Sequence, residues 1–239
     1  MEAGLAISPA QGAEAGGAFG SFRARTKAPS RAVLASNMRR FAPHEAVFRE
    51  GDMASALYQV TQGAVMVLRT LSGGRRQILD IAGPGRLIGL TSAKTHDCSA
   101  IALKGVVVEI CDIEKNAPRH GRHLATAMFD EIHRLRDLAT ALGRKTAAER
   151  LASFLLALTG DDAASPVEMV LPVSRQEIAD HLGLAIETVC RNFTMMKRKG
   201  LVQLEGNYGL TICDLDALRQ IAHGAAADEL ADGRLARRA

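Results

Sequence analysis

The sequence predicts an α+β chain with an N-terminal antiparallel β-roll, a long dimerisation helix and a C-terminal winged helix-turn-helix. Three observations carry that expectation. Residues 173–204 read as two short amphipathic helices about a tight turn, followed at once by a strand. Residues 41–112 break into short β-like runs punctuated by Gly and Pro. Between these regions the apolar spacing changes to that of a helix and holds for several turns.

Residues 1–30 are rich in Ala, Gly and Ser with little periodicity, and read as a mobile tail. Order is expected to begin near residues 31–38, opening a β-roll over 31–113. Its candidate strands are 57–61, 64–71, 77–81 and 101–110. Turns fall at Glu50-Gly51-Asp52, Ser72-Gly73-Gly74 and Gly83-Pro84-Gly85. Many short strands at near-regular spacing suit a compact antiparallel barrel or sandwich.

A long helix is expected over 114–143. Leu124, Met128, Ile132, Leu135, Leu138 and Leu142 recur at spacings of four, four, three, three and four. This narrow seam, flanked by Asp130, Glu131, Arg134, Arg136 and Asp137, suits a two-helix coiled coil and hence a homodimer. The alternative is a helix packed only on its own β-domain. A second helix over 146–159, with Leu151, Phe154, Leu155 and Leu158 apolar, leads into the C-terminal domain. That domain is expected to span 144–223, and 224–239 forms an Ala-rich tail containing Arg234, Arg237 and Arg238.

Within it, Ser174 followed three residues on by Glu177 is a capping box that opens the first helix. Ile178, Ala179 and Leu182 are its apolar positions, and Gly183 supplies the freedom for a sharp turn. In the second helix Ile186, Val189, Phe193 and Met196 share one face. The opposite face carries Glu187, Thr188, Cys190, Arg191, Thr194, Lys197 and Arg198. After Gly200, a hairpin about Glu205-Gly206-Asn207 supplies the wing. A helix apolar on one side and hydrogen-bonding on the other can dock on a core and enter a DNA major groove. Glu187, Cys190 and Arg191 are the candidate base readers. Ser174, Arg175, Gln176, Thr188, Thr194 and Lys197 are candidates for phosphate contact and positioning.

Composition narrows the alternatives. At 239 residues, two domains can each bury a core. A net charge of +4 and a pI near 9.0 are too mild to argue nucleic-acid binding alone. Absent Trp and 4% aromatic residues argue against a stacked single-strand platform. No apolar run reaches the roughly 18 residues of a membrane span, and no export signal is evident, so a cytoplasmic protein is expected. Cys98, Cys111, Cys190 and Cys213 are scattered, which suits free thiols in a reducing compartment. No P-loop, G-x-S-x-G, H-E-x-x-H or paired-carboxylate pattern suggests an enzyme. A pure interaction module without DNA binding is a further alternative.

From residue 31 to 221 the chain resembles the Crp/Fnr superfamily of transcription regulators. The resemblance rests on Phe48-Arg49-Glu50-Gly51-Asp52, on residues 57–63, on Gly85-Arg86-Leu87-Ile88-Gly89 and on 173–204. It implies a β-roll like that of cyclic-nucleotide-binding domains, with double-stranded DNA, RNA polymerase and a second copy as partners. The recognition helix is similar to the Fnr/FixK branch, whose pattern is E-x-x-S-R; here Cys190 stands at the serine position. The implied target is a TTGA half-site with TCAA inverted opposite. Arg191 would then bond O6 and N7 of a guanine, and Glu187 would accept from a base amino group while constraining the arginine.

Departures from the family pattern are informative. Cyclic-AMP-binding members carry a glutamate after the Gly of the G-x-x-x-G turn and an Arg-Ser pair about ten residues later. Leu90 and Cys98-Ser99 stand there instead, removing the carboxylate and guanidinium. Oxygen-sensing members hold an iron–sulfur cluster on N-terminal cysteines, and residues 1–40 contain none. The resemblance therefore implies a FixK-like activator of low-oxygen genes that needs no cofactor and no metal. A regulator gated by a small effector or haem in the β-roll is the runner-up, with His44, His96, His120, His123 and His133 present. Cys190, on the DNA-facing side among cationic side chains, is a candidate redox switch, against the simpler reading of a serine replacement.

Overall fold

The computed structural model describes residues 38–159 and 163–225, leaving aside the side chains of 112–123. The expected N-terminal tail, the start of order before residue 38, and nearly all of the C-terminal tail lie outside the described residues. So do the side chains of His120 and His123.

The β-roll comprises β1 (Met38–Phe41), β2 (Ala46–Phe48), β3 (Ala56–Gln62), β4 (Val65–Thr70), β5 (Arg76–Ala82), β6 (Leu87–Ile88), β7 (Ser99–Ala102) and β8 (Val106–Asp112). They form two four-stranded antiparallel sheets, ordered β1-β8-β3-β6 and β2-β7-β4-β5. Inward side chains of both sheets, among them Phe41, Phe48, Val60, Val65, Ile88 and Val108, fill the interior of the roll. The expectation of one strand over 101–110 is corrected. The run divides at Leu103-Lys104-Gly105, so β7 ends in one sheet and β8 begins in the other. Apolar alternation continues through both strands and does not register the crossing.

Helix α1 (Ile113–Arg144) leaves β8, and α2 (Ala147–Thr159) follows after two residues. The C-terminal part contains β9 (Val167–Val170), α3 (Arg175–Leu182), α4 (Ile186–Arg198), β10 (Val202–Glu205), β11 (Gly209–Ile212) and α5 (Leu215–Ala222). The expected hairpin is β10–β11, with a third strand, β9, on its far side. Neither β9 nor α5 was legible as such. Helix α5 is opened by Asp214, whose carboxylate accepts from the Ala217 N–H at 2.8 Å.

A second core is continuous across the domains. It joins Met66, Leu68 and Ile78 of the β-roll to Leu138 and Ala141 of α1, and to Leu151, Ile178, Phe193 and Leu218 beyond. The outer face of the β4–β5 sheet is thus covered by the C-terminal domain of the same chain. Among the described residues no helix is long and apolar enough to cross a membrane.

Candidate nucleic-acid interface

The helix-turn-helix is fixed locally at both ends of α3. The Ser174 N–H donates to Glu177 Oε2 at 2.6 Å, and the Glu177 N–H donates to Ser174 Oγ at 3.3 Å. This reciprocal cap contributes about 1 kcal/mol. At the other end Gly183 is left-handed, with φ 63°, and its N–H donates to the Ala179 carbonyl. A Cβ there would sit 3.3 Å from Leu142 Cδ2, so turn conformation and close packing both favour glycine.

Helix α4 buries Val189, Phe193 and Met196, with Ile186 partly covered. Each fully buried side chain contributes roughly 1.5–3 kcal/mol, enough to decide which face points outward. Glu187, Cys190, Arg191, Thr194, Lys197 and Arg198 are exposed, and Thr188 is half-buried. The three candidate base readers therefore occupy about one turn of a single exposed face. Arg191 Nη2 donates to Thr188 Oγ1 at 3.2 Å, so in the DNA-free chain Thr188 holds the guanidinium. Thr194 Oγ1 donates to the Cys190 carbonyl at 2.9 Å, and Asn192 Nδ2 to the Thr188 carbonyl at 2.8 Å.

The residues expected to contact phosphate divide into two groups. Gln176, Thr194 and Lys197 are exposed, and Gln176 Nε2 donates to Asp180 Oδ1 at 2.7 Å. The Ser174 hydroxyl is committed to the cap. The Arg175 guanidinium lies 3.4 Å from the Phe193 ring centroid, and its Nη1 is buried without a hydrogen-bond partner. Burial pushes the Arg175 pKa down, and nearby Cys190 acts in the opposite direction. Arg175 therefore covers Phe193 and braces α3 against α4.

The six-residue seam on α1 also divides. Met128, Ile132 and Leu135 are 50%, 40% and 47% exposed, and Leu124 is partly covered. Leu138, however, is buried in the chain's own core, and Leu142 packs against that core beside Gly183. The 3–4 spacing is common to intermolecular and intramolecular faces, and the last turns of α1 lie where the C-terminal domain docks. Glu131 and Arg134, expected to flank the seam, turn toward the β-roll: Arg134 Nη2 donates to Glu131 Oε2 at 2.5 Å, and Arg86 Nη2 donates to the same oxygen at 3.5 Å. Arg86 also pairs with Asp80. Phe129, 63% exposed beside the seam, was missed because it breaks the repeat.

Inside the β-roll, the positions that differ from cyclic-AMP binders hold different chemistry. Leu90 and Cys98 are partly buried, and burial together with Asp97 pushes the Cys98 thiol up to about 11. Ser99 Oγ accepts from the Glu50 N–H at 3.0 Å. His96 is buried and stacked on Phe48 at 3.9 Å between centroids, and burial lowers its pKa against the pull of Asp52 and Asp97. A cyclic phosphate would meet no guanidinium at Cys98, and a ribose no carboxylate at Leu90, so these residues do not fit that ligand. No group of three or more His, Cys, Asp or Glu among the described residues is arranged to hold a metal.

Comparison with known proteins agrees with this layout. Residues 38–117 match the cyclic nucleotide-binding domain and residues 149–221 the Crp-like helix-turn-helix domain. The nitrogen fixation regulation protein FixK of Rhizobium meliloti is 33% identical over 183 residues, covering 77% of this chain and 86% of that protein. The transcriptional activator protein FnrA of Stutzerimonas stutzeri is 34% identical, covering 76% and 78% respectively. The solved structure of FixK2 from Bradyrhizobium japonicum superposes with a TM-score of 0.74 at 33% identity, covering 81% of this chain and all of that one.

Proposed function

Because the chain belongs to the Crp/Fnr family and is FixK-like within it, we propose that it acts as a homodimer on a TTGA–TCAA-type palindrome. It is a DNA-binding transcription regulator of the Crp/Fnr type. The observation that carries the finer reading is the exposed face of α4. Glu187, Cys190 and Arg191 stand there over a buried stripe that fixes their direction. Arg191 suits the bidentate recognition of guanine, and Glu187 suits a base amino group.

Dimerisation is supported by Met128, Phe129, Ile132 and Leu135, a run of large apolar side chains left exposed on α1. Burying such a patch against a second copy would place two recognition helices about one DNA turn apart. The regulator works without a cyclic nucleotide or an iron–sulfur cluster. Leu90 and Cys98 supply no charged partner for the nucleotide, and the first 40 residues hold no cysteine. It acts in the cytoplasm, with RNA polymerase as its protein partner, on genes of low-oxygen and anaerobic respiration. Cys190, exposed on the reading face, is a candidate site at which oxidation would weaken DNA binding, beside the simpler reading of a serine replacement.

The deciding experiment is fluorescence anisotropy of the reduced protein on a TTGA–TCAA duplex at stated salt, with no ligand added. Selective binding over scrambled DNA is expected. Binding that appears only after a small molecule or haem is supplied would replace this reading with an effector-gated regulator.

A further inference from the structure

The last three residues of α3 are each held from outside the helix-turn-helix. Arg76 Nη2 of β5 pairs with Asp180 Oδ2 at 3.0 Å. Gln77 Nε2, next along β5, donates to the His181 carbonyl at 3.3 Å, and His181 Nδ1 lies 3.0 Å from the Ile78 carbonyl. Arg150 of α2 reaches the third residue, where its Nη1 donates to the Leu182 carbonyl at 3.0 Å. The other nitrogens of that guanidinium donate to the Leu142 carbonyl at 2.7 Å and the Lys145 carbonyl at 2.9 Å. One planar cation thus ties the end of α1, the linker to α2 and the end of α3. Its fixed fork allows this where a lysine would make fewer contacts.

This junction adjoins the Gly183 turn, immediately before the recognition helix. It is also where the β-roll, the end of the long helix and the reading domain meet. The Arg150 bonds are charge-assisted and partly buried, and such bonds hold direction better than apolar packing, which tolerates sliding. Strand β5 holds α3 at Asp180 and His181, and Arg150 holds it at Leu182.

We propose that Asp180, His181 and Leu182 form a pivot that sets the pose of α4 relative to the long helix. Arg76, Gln77 and Arg150 are positioning residues for palindrome recognition, and the inference rests on the palindrome reading above. None of the three lies on the reading face of α4. Loosening the pivot leaves one head's contacts with one half-site intact. It lets that head wander, so the second head is presented at a lower effective concentration and no longer at one spacing.

The test compares the full-length protein with the Arg76→Ala/Gln77→Ala double variant and with Arg150→Lys. Arg150→Lys retains the charge while losing the fixed fork, and so guards against a failure to fold. Affinity is measured for a single half-site, for the palindrome, and for palindromes with the spacer lengthened or shortened by two base pairs. Dimer mass and Tm are recorded alongside. In the variants half-site affinity is expected to stay within twofold of the parent, palindrome affinity to fall at least tenfold, and the preference for the native spacer to flatten. A parallel loss on half-site and palindrome would mark a purely structural role and overturn the proposal. So would unchanged spacing preference in both variants. A parent protein with no preference for the palindrome over scrambled DNA would instead sink the functional reading, and the pivot would fall with it.

Discussion

The Arg175 guanidinium lies 3.4 Å above the Phe193 ring, joining the first turn of α3 to the middle of α4. A desolvated contact of this type contributes up to about 2 kcal/mol. Arg175→Ala is expected to lower Tm by several degrees, since about 1 kcal/mol shifts a chain of this length, unfolding as one unit, by roughly 2–4 °C. Arg175→Lys should recover only part, because an ammonium cannot stack its plane on the ring. An alanine variant that melts with the parent would show the contact to be idle.

Arg191→Ala should weaken selective binding by about 1–3 kcal/mol per half-site while leaving non-specific binding nearly unchanged. Competition between the TTGA duplex and one with the guanine replaced reads this directly. The parent should discriminate and the variant should not. Equal discrimination by both proteins would remove Arg191 from the reading face.

Ile132 and Leu135 are the exposed apolar positions best placed for a mate. Changing both to Asp should yield monomers by analytical ultracentrifugation, with half-site binding retained and the palindrome advantage lost. A persistent dimer would move the interface elsewhere.

Acid should destabilise the protein through its buried imidazoles. Burial pushes the His181 pKa below its ordinary 6.5, against the Ile78 carbonyl and Asp80, and burial does the same to His96 against Asp52 and Asp97. Asp80 shares a small cavity beside His181 with Glu131 and Arg134 of α1. The unfolded chain then takes up protons that the folded chain refuses. Stability is full above about pH 6.5 and is lost as pH falls from there toward the lowered folded values. Urea midpoints at pH 7.5 and 5.5 should differ in that direction. A midpoint unchanged or higher in acid would contradict it.

Peroxide should oxidise the Cys190 thiol to a sulfenic acid, with water released, and so place a bulky polar group against the DNA. Binding by the parent should fall on treatment, and Cys190→Ser should be resistant. Equal sensitivity of the two proteins would remove Cys190 from any redox role.

Much of this architecture was legible because it rests on local periodicity. The Ser174–Glu177 cap, the Gly183 turn and the Val189, Phe193 and Met196 stripe all follow from spacing within a few residues. What stayed hidden depends on distant partners. No pattern marks Leu138 as facing its own core while Leu135 faces outward. Gln77 and His181 meet across 104 residues of chain, and Arg175 faces Phe193 across a turn. Arg150 passes unmarked beside the apolar stripe of α2, because its three carbonyl partners are set only by tertiary packing.

The apolar core shared by the β4–β5 sheet and the helix-turn-helix has an evolutionary consequence. The reading head is not a portable module. A chimaera that grafts it onto a foreign sensor would part Met66, Leu68 and Ile78 from the head residues of their shared core, among them Leu151 and Ile178. Recombination across this boundary is therefore expected to give less stable chains, unless the incoming sheet brings an apolar face that matches this one.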